Sequence, residues 1–172
     1  MAFKKIGTLI PYGAPVLRKE IITNSVVSTV MDSVKMVSGF VALGTSTALV
    51  FGHLMNHKSK TGNGLNSTGV AGAEMGSYVN TYTAAANNQT VALITAECDV
   101  SKHSMYTASL SAALGTTANS NLGHFNFNIT DQATLTESSV TTASAQYHSW
   151  GIDPTIPTQL IVNIYSSQVF GV

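Results

Sequence analysis

The sequence predicts an all-β fold: a small antiparallel β-barrel or sandwich with one short helix, an extended N-terminal arm and a long Gly/Asn/Ser-rich loop. Three observations lead there. Short runs of β-branched and aromatic residues are separated by clusters of turn formers, as in small barrels and sandwiches. Residues 124–129 and 160–165 alternate between apolar and polar side chains at a period of two. Only 9% of the residues are charged, against about 25% in an average soluble domain, and the missing charge is replaced by Ser, Thr, Asn and Gly, which suit strands and turns.

Residues 1–24 hold Pro11, Pro15, Gly7 and Gly13 among Lys4, Lys5, Arg18 and Lys19, with no sustained period of either kind. They read as an extended arm without a core of its own, leaving 25–172 as a single β-barrel domain. Residues 26–31 are β-branched and end at Asp32-Ser33, and 34–37 alternate before Ser38-Gly39, which gives two short strands and a turn. Phe40, Val41, Ala42 and Leu43 run into Gly44, and the apolar run 48–55 follows, the shape of a hairpin. Residues 56–86 are rich in Gly, Asn and Ser and read as a long excursion of the kind that is functional or clamped by a partner.

A strand resumes over 90–97. Ser104 then stands as the N-cap of the one expected helix, carrying Ala108, Leu110, Ala112, Ala113 and Leu114 and stopped by Gly115. Residues 124–129 place Phe125, Phe127 and Ile129 on one face, 143–150 form another strand, and 151–157 turn the chain into a last strand with Leu160, Val162 and Ile164 on one face. The expected inward set is Phe40, Leu49, Phe51, Phe125, Phe127, Leu160, Val162 and Ile164.

Charge is unevenly placed. Up to residue 60, Lys4, Lys5, Arg18, Lys19, Lys35, Lys58 and Lys60 face only Glu20 and Asp32; afterwards Lys102 is the one basic residue among Glu74, Glu97, Asp99, Asp131, Glu137 and Asp153. A polarised chain of zero net charge can dock its basic end on an acidic surface or on a neighbouring copy. Direct contact with nucleic acid is not expected, because there is no excess positive charge. Nor is a membrane span. The uncharged gap between Lys35 and Lys58 is long enough at about 20 residues, but Ser38, Gly39, Gly44, Thr45, Ser46, Thr47, Gly52 and His53 interrupt it. Pro11 and Pro15 likewise break the apolar run that a secretory signal would need.

Catalytic and metal-binding chemistry is not expected. No phosphate-binding glycine loop occurs. His53 and His57 would share a helical face, yet on a strand positions four apart lie about 13 Å from each other, and no Glu adjoins His53. The lone Cys98 excludes an intramolecular disulfide and a multi-cysteine zinc cluster. It adjoins Asp99 and precedes His103, but a Cys ending an apolar strand reads as a small core residue. Asp131 and Glu137 lie among Thr and Ser with nothing to desolvate them. No enzyme activity, cofactor or metal site is assigned. The acceptor patterns beginning at Asn66, Asn88 and Asn128 carry no weight in a chain so rich in Asn and Thr without a secretory signal.

Three stretches together resemble the capsid decoration, or cement, proteins of tailed bacteriophages. The first is residues 32–43 leading to Ala48-Leu49-Val50-Phe51-Gly52. The second is Ala112-Ala113-Leu114-Gly115-Thr116-Thr117, followed by Ser120-Asn121-Leu122 and the Phe125, Phe127 strand. The third runs from Ala133-Thr134-Leu135 to Ile161-Val162-Asn163-Ile164-Tyr165. The resemblance spans residues 30–170 and leaves out the arm and the 56–86 excursion. It implies a structural subunit on the capsid exterior, often trimeric, bound to the major capsid protein and to copies of itself, with no chemistry to perform. The arm would supply the attachment through Lys4, Lys5, Tyr12, Arg18 and Lys19. Two alternatives remain open: a tail-tube or head-fibre subunit, and a ligand- or carbohydrate-binding β-module presenting Trp150, Tyr147 and His148.

Overall fold

A computed structural model describes residues 3–9, 15–59, 81–91, 94–114, 126–137 and 145–165. Its elements in chain order are β1 (Lys4–Thr8), β2 (Leu17–Ile21), β3 (Val27–Thr29), β4 (Ser33–Val37), β5 (Phe40–Leu43), β6 (Gly52–Ser59), β7 (Thr81–Thr83), α1 (Asn88–Val91), β8 (Ile94–Asp99), β9 (Ser104–Leu110), β10 (Asn126–Ile129), β11 (Thr134–Glu137), β12 (Tyr147–Ile152) and β13 (Gln159–Ile164). The fold is all-β, as the alternating runs imply.

A closed five-stranded barrel is formed by β9, β11, β10, β12 and β13. Closure depends on β9. One edge pairs antiparallel with β13, Ala108 opposite Leu160 and Tyr106 opposite Val162. Its other edge is shared: β11 takes the end near Leu110 in parallel, and β1 takes the beginning, Thr8 opposite Ser104. Alternation along β13 sends Leu160, Val162 and Ile164 inward, where they meet Tyr106, Ala108, Phe127, Ile129, Leu135 and Tyr147, with Phe3 and Val50 entering from outside the barrel strands. Each large side chain buried in this way contributes about 1.5–3 kcal/mol.

The second sheet has the order β2-β8-β6-β4-β5. It curls toward closure, because Ile22 bridges Val41 in parallel and the Thr23 N–H donates to the Val41 carbonyl at 2.8 Å. Ile22, Val34, Val41, Phe51, Leu54, Ile94, Ala96, Cys98 and Val100 fill its interior. Strands β3 and β7 form a separate ribbon. The β4–β5 hairpin turns on Ser38 and Gly39, both at positive φ, the two-residue geometry whose twist matches the flanking strands. At Gly52 a Cβ would stand 2.4 Å from the Asp99 carbonyl oxygen, so only glycine lets β6 start this close to β8.

Several expectations are corrected. Residues 104–110 are the central barrel strand, not a helix: Ser104, Tyr106 and Ala108 are buried at a period of two, and pairing on both edges outweighs the helix propensity of Ala and Leu. Among the described residues the one α-helical turn is α1, which Asn88 pins by donating to the Ile22 and Ile94 carbonyls and accepting from the Ile94 N–H. Phe40–Leu43 pairs with β4 rather than with the 48–55 run, of which only the part from Gly52 is strand. Residues 1–24 do not stand apart as an arm, since β1 and β2 are built into the two sheets and Phe3 is core. Leu49 is 46% exposed and Phe40 half-buried, whereas Phe51, Phe127, Leu160, Val162 and Ile164 are inward as expected; Phe125 lies outside the described residues. Of the 56–86 excursion, the described parts are the end of β6, β7 and the start of the α1 region.

Candidate functional site

Where the two cores meet, polar side chains from six strands come together, those from five of them ionisable. Asp99, at the end of β8, is fully buried and accepts four hydrogen bonds: Lys5 Nζ at 2.6 Å, Ser104 Oγ at 2.7 Å and Tyr106 OH at 3.0 Å on Oδ2, and the Ser101 N–H at 3.0 Å on Oδ1. Burial works to raise its pKa, but the Lys5 ammonium and the other donors outweigh it and hold the carboxyl below the usual range. The Tyr106 phenol is pushed up by burial and by the Asp99 charge.

Beside this cluster lies His53 on β6. Its Nδ1 is 3.3 Å from the Met31 carbonyl oxygen and its Nε2 3.1 Å from the Tyr147 hydroxyl, which is 2.9 Å from Ser33 Oγ. A carbonyl only accepts, so Nδ1 carries the proton, Nε2 accepts from Tyr147, and Tyr147 accepts from Ser33. Burial lowers the His53 pKa to about 4, so the ring is neutral near pH 7. Phe3 packs on it at a centroid distance of 4.4 Å and stacks on Tyr147 at 5.1 Å, while Tyr106 lies 4.1 Å from His53. These partners are matched within the chain and closed to solvent, so the seam joins β1, β4, β6, β8, β9 and β12 and fastens one core to the other.

His57 is also on β6, but past a bulge between Leu54 and Asn56, and it sits 3.0 Å from Ser28 Oγ against the Tyr82 ring. The two imidazoles therefore have separate partners. Among the described residues no three His, Cys, Asp or Glu side chains group as metal ligands. Cys98 is buried in the second core and its thiol is pushed up by burial, far from the thiolate that a nucleophile needs. Asp131 accepts from the Ala133 and Thr134 N–H groups in an exposed turn, and Glu137 is exposed at the end of β11. Asp32 is buried and accepts from the Thr29 N–H at 2.7 Å; burial raises its pKa to about 6, against that bond and with help from the Asp131 charge. Asn88 is wholly buried, which closes that glycan acceptor.

The residues expected to meet a partner are divided by the fold. Lys5 turns inward to Asp99, while Lys4, Arg18 and Lys19 are exposed on β1 and β2. Tyr12 lies outside the described residues. Part of the basic front is answered within the chain, since Lys58 also lies 3.7 Å from Glu97. No helix among the described residues is long and apolar enough to cross a membrane.

Of the aromatic platform, Tyr147 is core but Trp150 is 50% exposed. Its indole Nε1 donates to Asn163 Oδ1 at 2.8 Å, Asn163 Nδ2 donates to the Lys102 carbonyl at 3.1 Å, and His148 meets the indole edge-on at 5.3 Å. Trp150 is itself the bulged residue of β12, between Ser149 opposite Val162 and Gly151 opposite Ile161, and Gly151 takes φ 126°. A cavity of about 320 Å³ opens there, lined by Trp150, His148, Asn163, His103, Tyr165, Lys102 and Leu9. Sequence reasoning found Trp150 and His148; Asn163, His103, Lys102 and Tyr165 arrive from turns and strand ends that only the barrel brings together. No protein-family model, curated protein or solved structure matches the chain.

Proposed function

We propose that the protein is a structural virion subunit of the decoration or cement type, which adds to the outside of a tailed-bacteriophage capsid and stabilises the shell. The observation that carries this reading is the outward face of the first two strands. On β1, Lys4 and Ile6, the latter at a bulge, are exposed; beside and on β2, Val16, Leu17, Arg18 and Lys19 are all exposed. Large apolar side chains interleaved with cations are what a partner surface covers with contact area while charge sets its orientation. The groups that could have served catalysis, His53, Asp99, Cys98 and Tyr147, are instead committed to the interior.

Function then follows by linkage. A subunit that binds only the assembled shell stabilises that state by mass action, and repeated copies join neighbouring capsomers without chemistry, cofactor or metal. Its partners are the major capsid protein and further copies of itself, as a trimer in this reading. The test is cosedimentation with undecorated capsids. Arg18→Glu with Lys19→Glu should weaken attachment more at low than at high ionic strength, because exposed charges are screened. Assembly of the isolated protein into rings or fibres, with no binding to shells, would favour a tail or fibre subunit instead.

A further inference from the structure

We infer that the cavity beside Trp150 is a binding site for one acidic sugar ring. This does not depend on capsid attachment and rests on how the indole is held. An exposed tryptophan normally rotates, but here its only polar atom is tied to Asn163, and Asn163 is tied in turn to the Lys102 and Ile164 carbonyls. With the N–H engaged and His148 against its edge, what Trp150 offers to an incoming molecule is flat, apolar and fixed in orientation. Preorganisation of this kind lowers the entropy cost of binding.

The shape and charge of the cavity narrow the ligand. A volume of about 320 Å³ is at the small end of ligand pockets, which run from about 300 to 1,000 Å³, so it accommodates a single ring rather than a chain of them. A pyranose presents an apolar C–H face that stacks on an indole, with hydroxyls around its rim. Besides His148 and Asn163, the polar residues that line the cavity are Lys102 and His103, neighbours in the turn before β9, and Tyr165, just past β13. A polyhydroxylated ring can use several such partners at once, whereas a flat aromatic acid has only its carboxylate to offer. Among the described residues no Asp or Glu lines the cavity and Lys102 makes no ion pair. That charge selects a sugar bearing a carboxylate over a neutral one.

Trp150 is the only tryptophan of the chain, so its fluorescence reports on this site alone. Titration with glucuronate and N-acetylneuraminate should give a saturable change in emission at millimolar concentrations, with glucose about tenfold weaker. Lys102→Gln should bring the acidic and neutral sugars to similar affinity. Trp150→Ala, followed by saturation-transfer NMR of the sugar, should abolish contact while leaving the thermal melt in place. Asn163→Ala, which frees the indole, should weaken binding severalfold. The inference is overturned if none of the three sugars gives a saturable change up to about 50 mM, if Trp150→Ala binds as well as the parent, or if benzoate saturates the site where the sugars do not.

Discussion

Lys5 and Asp99, 94 positions apart in sequence, meet at 2.6 Å and join β1, which pairs on the edge of the barrel strand β9, to the last residue of β8 in the neighbouring sheet. Asp99 is buried, and its remaining donors, Ser104, Tyr106 and the Ser101 N–H, are neutral. Lys5→Ala therefore leaves a buried carboxylate without its cation and should cost about 3–5 kcal/mol, much of it recovered when Asp99→Asn is added. Urea unfolding of the two single variants and the double variant measures this. A loss below about 1 kcal/mol for Lys5→Ala would place the pair with ordinary surface ion pairs.

Two buried groups titrate in opposite senses. Asp32 is raised from 3.8 to about 6, so the folded state favours its protonated form, and that stabilisation is present below pH 3.8 and lost as pH rises through about 6. His53 is lowered from 6.5 to about 4, so the folded state favours the neutral ring, and that stabilisation is present above pH 6.5 and lost as pH falls through about 4. Between these limits the two nearly cancel, and the parent's stability should be almost flat. Asp32→Asn leaves His53 unopposed, and stability should then rise with pH across this window by up to about 1.4 kcal/mol per unit. Denaturant unfolding across this range checks it; a steep parent curve with a flat Asp32→Asn curve would contradict the assignment.

Tyr147→Phe removes the hydroxyl that bridges His53 Nε2 and Ser33 Oγ. Two buried polar atoms lose a partner while the ring packing on Phe3 survives. The expected outcome is a loss of about 1–3 kcal/mol with an unchanged circular dichroism spectrum. An unshifted melting temperature would mean that the seam is hydrated and contributes little.

The core assignment separates two residues that the sequence treats alike. Phe127 is fully buried in the barrel and Leu49 is 46% exposed. Phe127→Ala should cost about 3–5 kcal/mol, and Leu49→Ala no more than about 0.5 kcal/mol. Thermal melts of both variants decide it, and comparable losses would put Leu49 in a core.

What was legible in the sequence was local. The alternation of Leu160, Val162 and Ile164 needs no partner to be seen, and neither does the Ser38-Gly39 turn. β9 was hidden because Ala108, Leu110, Ala112, Ala113 and Leu114 favour a helix, while the strand state is imposed by β13 and β1, which lie far off in sequence. β1 and β2 looked like an arm for the same reason, since their partners are about 100 and 80 residues away. Trp150 and His148 could be proposed as a platform from spacing, but the fastening by Asn163 depends on the register of β12 against β13. Tyr147, three residues before the exposed Trp150 and therefore on the opposite face of the strand, points into the core.

The most direct test of capsid attachment is a cryo-electron microscopy reconstruction of the native virion. The expected result is density for the barrel and its companion sheet on the outside of the shell, with the exposed residues of β1 and β2, Lys4, Ile6, Leu17, Arg18 and Lys19, facing the major capsid protein or a neighbouring copy. An exterior without that density, or the same density within a tail tube or fibre, would contradict the decoration reading.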